Sequence, residues 1–199
     1  MNLTLRPLGP ENAQEYVTYL ENLDFHHAPD WSGCFCRFYH NNCSNEEWSK
    51  RTPQHNKSEA LESIHNGSMK GFLAYHENQV IGWVNANRVD TYPRLNNFVE
   101  AYVSSPDTGC IVCFVIHPDF RRQGVARSLL KAAVDQFTKE GYDAVLAFPF
   151  ESKDEPEKAY RGSSSMYLEL GFSIQETRNG MSVMRKDLNN DQPLRNDLI

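Results

Sequence analysis

The chain has 199 residues, of which 40% are hydrophobic and 23% charged, a composition typical of one globular domain of ordinary size. Its net charge is −6 and its basic residues form no dense cluster, which argues against a nucleic-acid partner, because such binding neutralises phosphates. No apolar stretch is long enough to span a membrane and no secretion signal opens the chain, so we expect a cytoplasmic protein with no membrane partner.

The N-terminal third of the chain mixes regular and irregular sequence patterns. Residues 3–8 alternate apolar and polar side chains, as a half-buried strand does, and Pro10 then opens an amphipathic helix. The segment from residue 24 to residue 69 shows no sustained period. We predict a loop there, with helical pieces around residues 46–51 and 58–65.

The central region predicts the core of the fold. Two apolar runs at residues 71–75 and 80–87 are joined by a short polar turn and predict a β-hairpin. After a polar connection, residues 110–116 are continuously apolar, which is typical of a strand covered on both faces. Residues 124–140 then carry apolar side chains every three or four positions and predict an amphipathic helix.

The C-terminal region adds a strand, a short helix and a hairpin. We place the strand at residues 143–150, the helix at 163–170 and the hairpin strands at 172–178 and 181–186. The charged stretch 151–158 is interpreted as a loop, and residues 187–199 as a frayed tail. The mixture of strands and helices favours a single α/β domain over residues 1–186.

A short basic segment, Arg121-Arg122-Gln123-Gly124-Val125-Ala126, stands between the buried strand and the long helix. The first turn of a helix offers unpaired backbone N–H groups and a positive dipole end, which suit an anion. Gly124 removes the side chain that would hold a phosphate away, and Arg121 or Arg122 adds charge-assisted hydrogen bonds. The expected ligand is a pyrophosphate, and the alternative is a basic turn before an ordinary helix.

Two segments resemble the signatures of a known family, the GNAT acetyltransferases. Val115-Ile116-His117-Pro118-Asp119-Phe120-Arg121-Arg122-Gln123-Gly124-Val125-Ala126 resembles its strand and pyrophosphate loop, Q/R-x-x-G-x-G/A. Tyr167-Leu168-Glu169-Leu170-Gly171-Phe172 resembles its second signature, Y-x-x-x-G-F. The chain is most similar to a subgroup of unassigned acceptor, at Cys34-Phe35-Cys36, residues 71–75 and 80–83, Cys113-Phe114, Gly162-Ser163 and Met166-Tyr167.

The resemblance implies a fold and a co-substrate. The fold is a mixed, mostly antiparallel twisted sheet of about seven strands, splayed between the fourth and fifth and flanked by about four helices. Acetyl-CoA is expected in the splay, with no metal. The backbone of Phe114, Val115 and Ile116 is expected to hold its pantetheine arm. Its pyrophosphate is assigned to Arg121, Arg122, Gln123, Gly124, Val125 and Ala126.

The resemblance also implies direct transfer of the acetyl group to an amine of a small molecule or peptide. The negative net charge mildly favours a cationic acceptor, and a homodimer is left open. Tyr167 is the expected proton donor to the departing thiolate, because a phenol with a pKa near ~10 can protonate a sulfur atom within hydrogen-bond reach. In the alternative interpretation, Tyr167 only packs beside Leu170 and Phe172.

The sequence lacks the carboxylate that many family members use as a base. The corresponding positions carry Gly109 or Cys110 on one strand and Leu146 on the next, and Tyr160 replaces the usual asparagine ahead of the tyrosine. A lysine-type acceptor costs about 4–5 kcal/mol to neutralise at pH 7, so some group should help. The candidate bases are Glu100, Asp107, Glu151 and a water chain.

Thiols and aromatic side chains cluster in the irregular segment. Cys34-x-Cys36-x-x-x-His40-x-x-Cys43 could supply four zinc ligands, although this is not one of the common zinc spacings. The interleaved aromatic residues favour instead a pocket wall in which the thiols act as small apolar groups. We therefore assign the acceptor side to Trp31, Phe35, Phe38, Tyr39 and Trp83, with residues 24–70 as an enlarged variable segment.

Two other functions are compatible with these patterns. The missing carboxylate favours a non-catalytic module that senses acyl-CoA, whereas the retained Tyr167 favours catalysis. The thiols of Cys34, Cys36 and Cys43 favour, as a third option, an interaction domain regulated by thiol chemistry or zinc, because a fold alone does not decide function.

Overall fold

Seven strands form one open sheet in the computed structural model, which describes residues 1–26, 28–150 and 156–188. The strands are β1 (Thr4–Pro7), β2 (Gly71–His76), β3 (Gln79–Arg88), β4 (Thr108–Ile116), β5 (Ala144–Ala147), β6 (Ser173–Arg178) and β7 (Met181–Asp187). Their order is β1-β2-β3-β4-β5-β7-β6, and every neighbouring pair is antiparallel except β4 and β5. The mostly antiparallel sheet predicted from the sequence is confirmed.

Helices cover both faces of this sheet. They are α1 (Ala13–Asn22), α2 (Asn45–Ser49), α3 (Pro53–His65), α4 (Asn96–Val99), α5 (Val125–Lys139) and α6 (Ser164–Leu168). The apolar side of α5, including Leu129, packs on one face with Ala74 and Val84. α1 and α3 cover the opposite face with Leu73 and Trp83, because successive residues of a strand point in opposite directions.

Local caps explain where the helices of the irregular segment begin. The Thr52 side chain accepts a hydrogen bond from His55 N, and Pro53 follows at the first helical position, so α3 starts earlier than the predicted residue 58. α2 begins at a capping box in which the Ser44 and Glu47 side chains each accept the other residue's backbone N–H. Both predicted helical pieces are thus present: α2 ends at Ser49, before the predicted residue 51, and α3 is longer at its start.

The parallel strands β4 and β5 pair over only part of their length. Their register runs from Thr108 opposite Ala144 to Ile111 opposite Ala147, whereas β4 continues to Ile116. The predicted strand at 143–150 is shorter, because the chain leaves β5 after Ala147 and Pro149 O accepts a hydrogen bond from β7. Among the described residues, therefore, no strand pairs with residues 112–116 of β4 on the side of β5.

The connection between β3 and β4 is more ordered than its polar sequence predicts. It contains α4 and several 3-10 turns, and its Tyr92, Leu95 and Val99 are buried. These side chains pack with Cys110 and Leu146 against the sheet. The apolar residues are too widely spaced in the sequence to form a recognisable period, so the prediction of a simple polar connection is wrong.

Parts of the predicted loop and tail, residues 151–155 and 189–199, lie outside the described residues. The chain resumes as a 3-10 turn at Pro156–Arg161. Among the helices that the structure describes, none combines the length and the apolar character needed to cross a bilayer.

Candidate active site

The loop between β4 and α5 forms an open backbone cradle. The 3-10 turn Pro118–Phe120 leads into it, and two residues then adopt left-handed backbone angles, Arg122 with φ of 60° and Gly124 with φ of 84°. A Cβ atom built at Gly124 would meet no other atom within 4 Å. Gly124 therefore faces open space that a side chain would occupy, as the predicted phosphate cradle requires.

The first turn of α5 supplies the unpaired amides. Its first backbone hydrogen bond runs from Ser128 N to Gly124 O, and Gly124 has no side chain to cap the helix. By helix geometry, the N–H groups of residues 125–127 have no partner within the helix, and the positive dipole end lies there. An anion placed against Gly124 would receive these hydrogen bonds.

The open edge of β4 continues this surface. His117 N donates to Ile81 O on β3, and backbone groups alternate in direction along a strand. The amides of Phe114 and Ile116 therefore point toward the edge that β5 leaves uncovered, while the amide of Val115 points toward β3. Arg121 Nε donates to Ile116 O at 3.2 Å, which connects the cradle to this edge.

A cleft of about 530 Å³ joins the cradle to the open edge of β4. Its lining includes all the predicted coenzyme residues except Gln123, whose side chain instead donates to Asp119 O at 2.7 Å. Trp31, which the sequence assigned to the acceptor side, also lines the cleft. The sequence reasoning gave no ligand contact to the remaining lining residues: Phe25, Phe120, Arg127, Ala159, Tyr160, Gly162, Ser163, Ser165 and Met166. Arg127 shows that the positive surface extends beyond the loop, although it also pairs with Glu169.

A second cavity, of about 270 Å³, opens beside this cleft. We call it the aromatic cavity. It is lined by Leu20, Phe25, Trp31, Gly33, Cys34, Phe35, Cys36, Phe38, Tyr39, Trp48, Cys113, Val115 and Tyr160. Phe25, Trp31, Val115 and Tyr160 line both spaces, so the aromatic cavity and the cleft share a wall.

Tyr160 is the central polar group of this shared wall. Its hydroxyl lies 2.9 Å from the Tyr39 hydroxyl and accepts a hydrogen bond from Arg161 Nε at 3.1 Å. The Trp31 ring packs edge-on against Tyr160, with centroids 4.7 Å apart. Sequence reasoning assigned Tyr160 no role beyond replacing an asparagine, because Trp31 and Tyr39 come from distant segments of the chain.

The thiols in the aromatic cavity form a close pair. The Sγ atoms of Cys36 and Cys113 are 3.7 Å apart. Their hydrogen bond lowers the pKa of Cys36 and raises the pKa of Cys113, while burial raises the pKa of Cys34 to about 12. Phe35 and Cys36 both have positive φ, at 46° and 49°, in the turn that carries this thiol into the cavity.

Two of the predicted site residues lie behind the cavity walls. Trp83 is completely buried in the core, where its ring packs edge-on against Tyr16 at 5.0 Å, so it does not form the acceptor wall. Tyr167 is also completely buried, and its hydroxyl donates to Arg161 O at 2.9 Å. Burial raises the Tyr167 pKa well above its usual value. A Cβ at Gly162, which lines the cleft, would lie 3.2 Å from the Tyr167 ring.

The candidate bases do not converge on the site. Glu100 and Asp107 are exposed and line neither space, and Glu151 lies outside the described residues. Cys110 and Leu146, which stand where many family members carry a carboxylate, face each other in the paired part of β4 and β5 and are completely buried. The described lining of both spaces contains no carboxylate.

The four proposed zinc ligands point to different surroundings. Cys34 and Cys36 line the aromatic cavity, whereas the Cys43 thiol donates to Asn41 Oδ1 and His40 contacts Asn85. Across residues 1–26, 28–150 and 156–188, no three His, Cys, Asp or Glu side chains are grouped so as to hold a metal ion.

His40 belongs to a buried hydrogen-bond network instead. Tyr92 OH donates to Asn85 Oδ1 at 2.8 Å, which leaves Asn85 Nδ2 to donate to His40 Nε2 at 3.0 Å. Burial, reinforced by the nearby Arg37, lowers the His40 pKa from 6.5 to about 3. His40 is therefore neutral in the folded protein at any ordinary pH.

This network predicts an acid-sensitive fold. Between about pH 6.5 and 3, His40 is protonated in the unfolded chain but neutral in the folded protein. The free energy of unfolding therefore falls as the pH drops through this range. At pH 5 we expect this group to remove about 2 kcal/mol from the free energy of unfolding. Urea denaturation at pH 7.5 and pH 5 should show the loss in the wild type and in an exposed control, His65→Gln. His40→Gln should lack it, and an equal loss in all three proteins would contradict the assignment.

Several solved structures have the same fold as this chain. The chain is similar to PaiA N-acetyltransferase from Thermoplasma acidophilum in complex with coenzyme A, at 16% identity and a TM-score of 0.53 over 94% of this chain and 99% of that one. It is similar to YncA from Salmonella typhimurium with its cofactor acetyl-CoA, at 11% identity and 0.55 over 97% and 98%. The ribosomal-protein-S18-alanine N-acetyltransferase from Escherichia coli gives 13% and 0.53 over 100% and 99%.

Sequence comparison, unlike these structural similarities at low identity, identifies the family of the chain. No curated protein sequence matches the chain at a significant level. The sequence model of the acetyltransferase (GNAT) family, however, matches residues 25–172, which include the aromatic cavity, the cradle and the second signature. The chain therefore belongs to the acetyltransferase (GNAT) family.

Proposed function

We propose that this protein transfers the acetyl group of acetyl-CoA to an amine of a small molecule or peptide by direct attack. The observation that carries the proposal is the cleft, which combines the open space at Gly124, unpaired amides at the start of α5 and the uncovered edge of β4. The structural relatives that contain coenzyme A or acetyl-CoA support the same ligand here.

The residues of the cleft fit such a ligand part by part. The amides of residues 124–126 and the arginines of the loop would hold the diphosphate, because both present hydrogen-bond donors and positive charge. The amides of Phe114 and Ile116 would hold the pantetheine chain along the edge of β4 and, near the reacting carbonyl, stabilise negative charge on its oxygen. Acetyl-CoA supplies the activated acetyl group as a thioester.

Tyr167 is the proposed proton donor to the leaving sulfur. It lies directly behind the cleft wall at Gly162. To donate its proton to the sulfur, its hydroxyl must give up the hydrogen bond to Arg161 O and form one to the ligand. Tyr160 is the second candidate, because its hydroxyl already lines the cleft. The hydrogen bond from Arg161 Nε, at 3.1 Å, holds this hydroxyl in place.

Removing each hydroxyl separates the two candidates. We expect Tyr167→Phe to lower kcat about tenfold or more, because general acid catalysis is lost, while the dissociation constant for coenzyme A changes less than twofold. Steady-state kinetics and calorimetry measure the two quantities. If Tyr167→Phe retains full kcat and Tyr160→Phe loses it, the proton donor is Tyr160.

The overall proposal is tested by binding and turnover together. Titration calorimetry should detect coenzyme A binding to the purified chain, and a thiol reagent should detect coenzyme release when an amine acceptor is added to acetyl-CoA. Binding without turnover of any amine would favour the alternative of a non-catalytic acyl-CoA sensor, which the uncharged described lining of the aromatic cavity also supports. Absence of binding would contradict both. We further propose a cytoplasmic location, which the free thiols support.

A further inference from the structure

The aromatic cavity has an unusual lining for a site that receives an amine. Of the thirteen lining residues that the structure describes, none is a Lys, Arg, His, Asp or Glu, and seven are aromatic. Its volume of about 270 Å³ exceeds that of an apolar cavity that takes one benzene ring, which is about 150 Å³. The cavity therefore has room for a substituted ring beside the four lining residues that it shares with the cleft.

Three rings of this cavity, those of Phe38, Tyr39 and Tyr160, each contact a guanidinium group. Arg94 Cζ lies 4.2 Å from the centroid of the Phe38 ring, and Arg161 Cζ lies 5.2 Å from that of Tyr160 and 5.9 Å from that of Tyr39. Both arginines line a neighbouring cavity of about 260 Å³ that shares Phe38 and Tyr39 with the aromatic cavity. The electron-rich faces of these rings are thus engaged by the protein itself.

Within the part of the chain that the structure describes, the hydrogen-bond partners of these two arginines are neutral groups. Arg94 donates to Asn45 Oδ1 and Cys43 O, and Arg161 donates to the Tyr160 hydroxyl and to Met181 Sδ. Among the residues that the structure describes, neither arginine has an acidic partner. The wall of the aromatic cavity is therefore electropositive, in contrast to the net charge of −6 for the whole chain.

An ammonium group would bind poorly in such a cavity. It would lose its water next to two guanidinium charges, and three of the rings that could compensate through cation–π contacts already contact those charges. An alkylamine with a pKa near ~10.4 is neutral in only about one molecule in 2,500 at pH 7, and the described lining offers no carboxylate to remove its proton. An amine attached directly to an aromatic ring is neutral at this pH, because its lone pair is delocalised into the ring.

We infer that the acceptor is an aromatic amine, bound with its ring in the aromatic cavity and its nitrogen at the wall shared with the cleft. The inference rests on the proposed acetyl transfer and replaces the cationic acceptor that the net charge favoured. In the transfer, the amino nitrogen attached to the ring forms a bond to the acetyl carbonyl carbon, and the bond between that carbon and the sulfur of the coenzyme breaks. The proton lost by the nitrogen balances the thiol of the released coenzyme. No separate base is required before the attack.

Three acceptors of similar size test this inference at pH 7. Aniline is aromatic and neutral, benzylamine is aromatic and cationic, and cyclohexylamine is apolar and cationic. We expect kcat/KM for aniline to exceed that for each of the other two at least tenfold, measured by thiol release and by mass spectrometry of the acetylated product. A preference for benzylamine, spermidine or a lysine peptide would overturn the inference while leaving the proposed acetyl transfer intact.

A charge variant tests the physical reason for the selectivity. Arg161→Met removes positive charge behind Tyr39 and Tyr160, and we expect it to raise kcat/KM for benzylamine at least threefold relative to aniline. Arg178→Met, an exposed arginine on β6, is the control and should leave the ratio unchanged. An unchanged ratio in both variants would refute the role of the electropositive wall.

A binding measurement separates this inference from the proposed function. Trp31 and Trp48 line the aromatic cavity, so ligands that enter it should change tryptophan fluorescence. Aniline should bind at least tenfold more tightly than cyclohexylamine without acetyl-CoA, and Trp31→Leu should weaken its binding. If aniline binds more tightly but is not acetylated, the aromatic amine is supported as the ligand class and the transferase activity is contradicted. Equal binding of both amines would contradict the ligand class.

Discussion

Gly124→Asp should weaken the binding of coenzyme A more than a hundredfold while leaving the fold intact. The left-handed φ of 84° is one that aspartate tolerates, and a carboxylate at the start of α5 interacts favourably with the helix dipole. The same side chain would occupy the open space in front of the amides and repel a diphosphate. Calorimetric titration with coenzyme A and thermal unfolding measure the two effects separately.

Gly141 provides a matched control at the other end of the same helix. It has φ of 79°, and a Cβ built there also meets no atom within 4 Å. Gly141→Asp thus adds the same side chain in the same backbone conformation, close to the negative end of the dipole, and should cost some stability without changing coenzyme binding. Gly124→Asn separates steric exclusion from charge. If Gly124→Asp still binds coenzyme A normally, the cradle does not hold the diphosphate.

Gly71→Ala should destabilise the fold by about 3 kcal/mol or more, through strain and overpacking. Gly71 has φ of 154°, and a Cβ there would lie 1.9 Å from Val84 O and 2.6 Å from the Trp83 ring. Neither neighbour can move freely, because Val84 belongs to the central strand β3 and Trp83 is completely buried. Urea denaturation followed by circular dichroism measures the loss.

Gly67→Ala controls for the backbone strain alone. Gly67 also has a left-handed φ, of 74°, but a Cβ there meets nothing within 4 Å, so we expect a loss of only about 1 kcal/mol. A comparable loss in Gly67→Ala and Gly71→Ala would show that the close contact at the start of β2 is relieved at little cost.

The parts of the site that the sequence predicted are contiguous in the chain. The cradle and the first turn of α5 lie within residues 121–126, so local rules for glycines and helix starts suffice to place them together. The strands themselves follow from local patterns, whereas the seven-stranded sheet and its open edge at β4 were implied by the resemblance to the family.

The parts that local patterns could not place depend on contacts between distant segments. Trp83 lies on the expected strand, but packing against Tyr16 turns its ring into the core. Tyr160 belongs to no motif, and its position in the shared wall results from contacts with Trp31 and Tyr39. The positive surroundings of the aromatic cavity arise from Arg94 and Arg161, which are 67 positions apart in the sequence (161 − 94). No local pattern reveals such a pairing.

The cleft and the aromatic cavity share Trp31 and Tyr160, so the two proposed ligands would contact the same side chains. If the first ligand orders these side chains, the second ligand binds without paying that entropy cost. Linkage requires that each ligand then increase the affinity for the other by the same factor. After the reaction both products contact these side chains, and the departure of one should hasten the departure of the other.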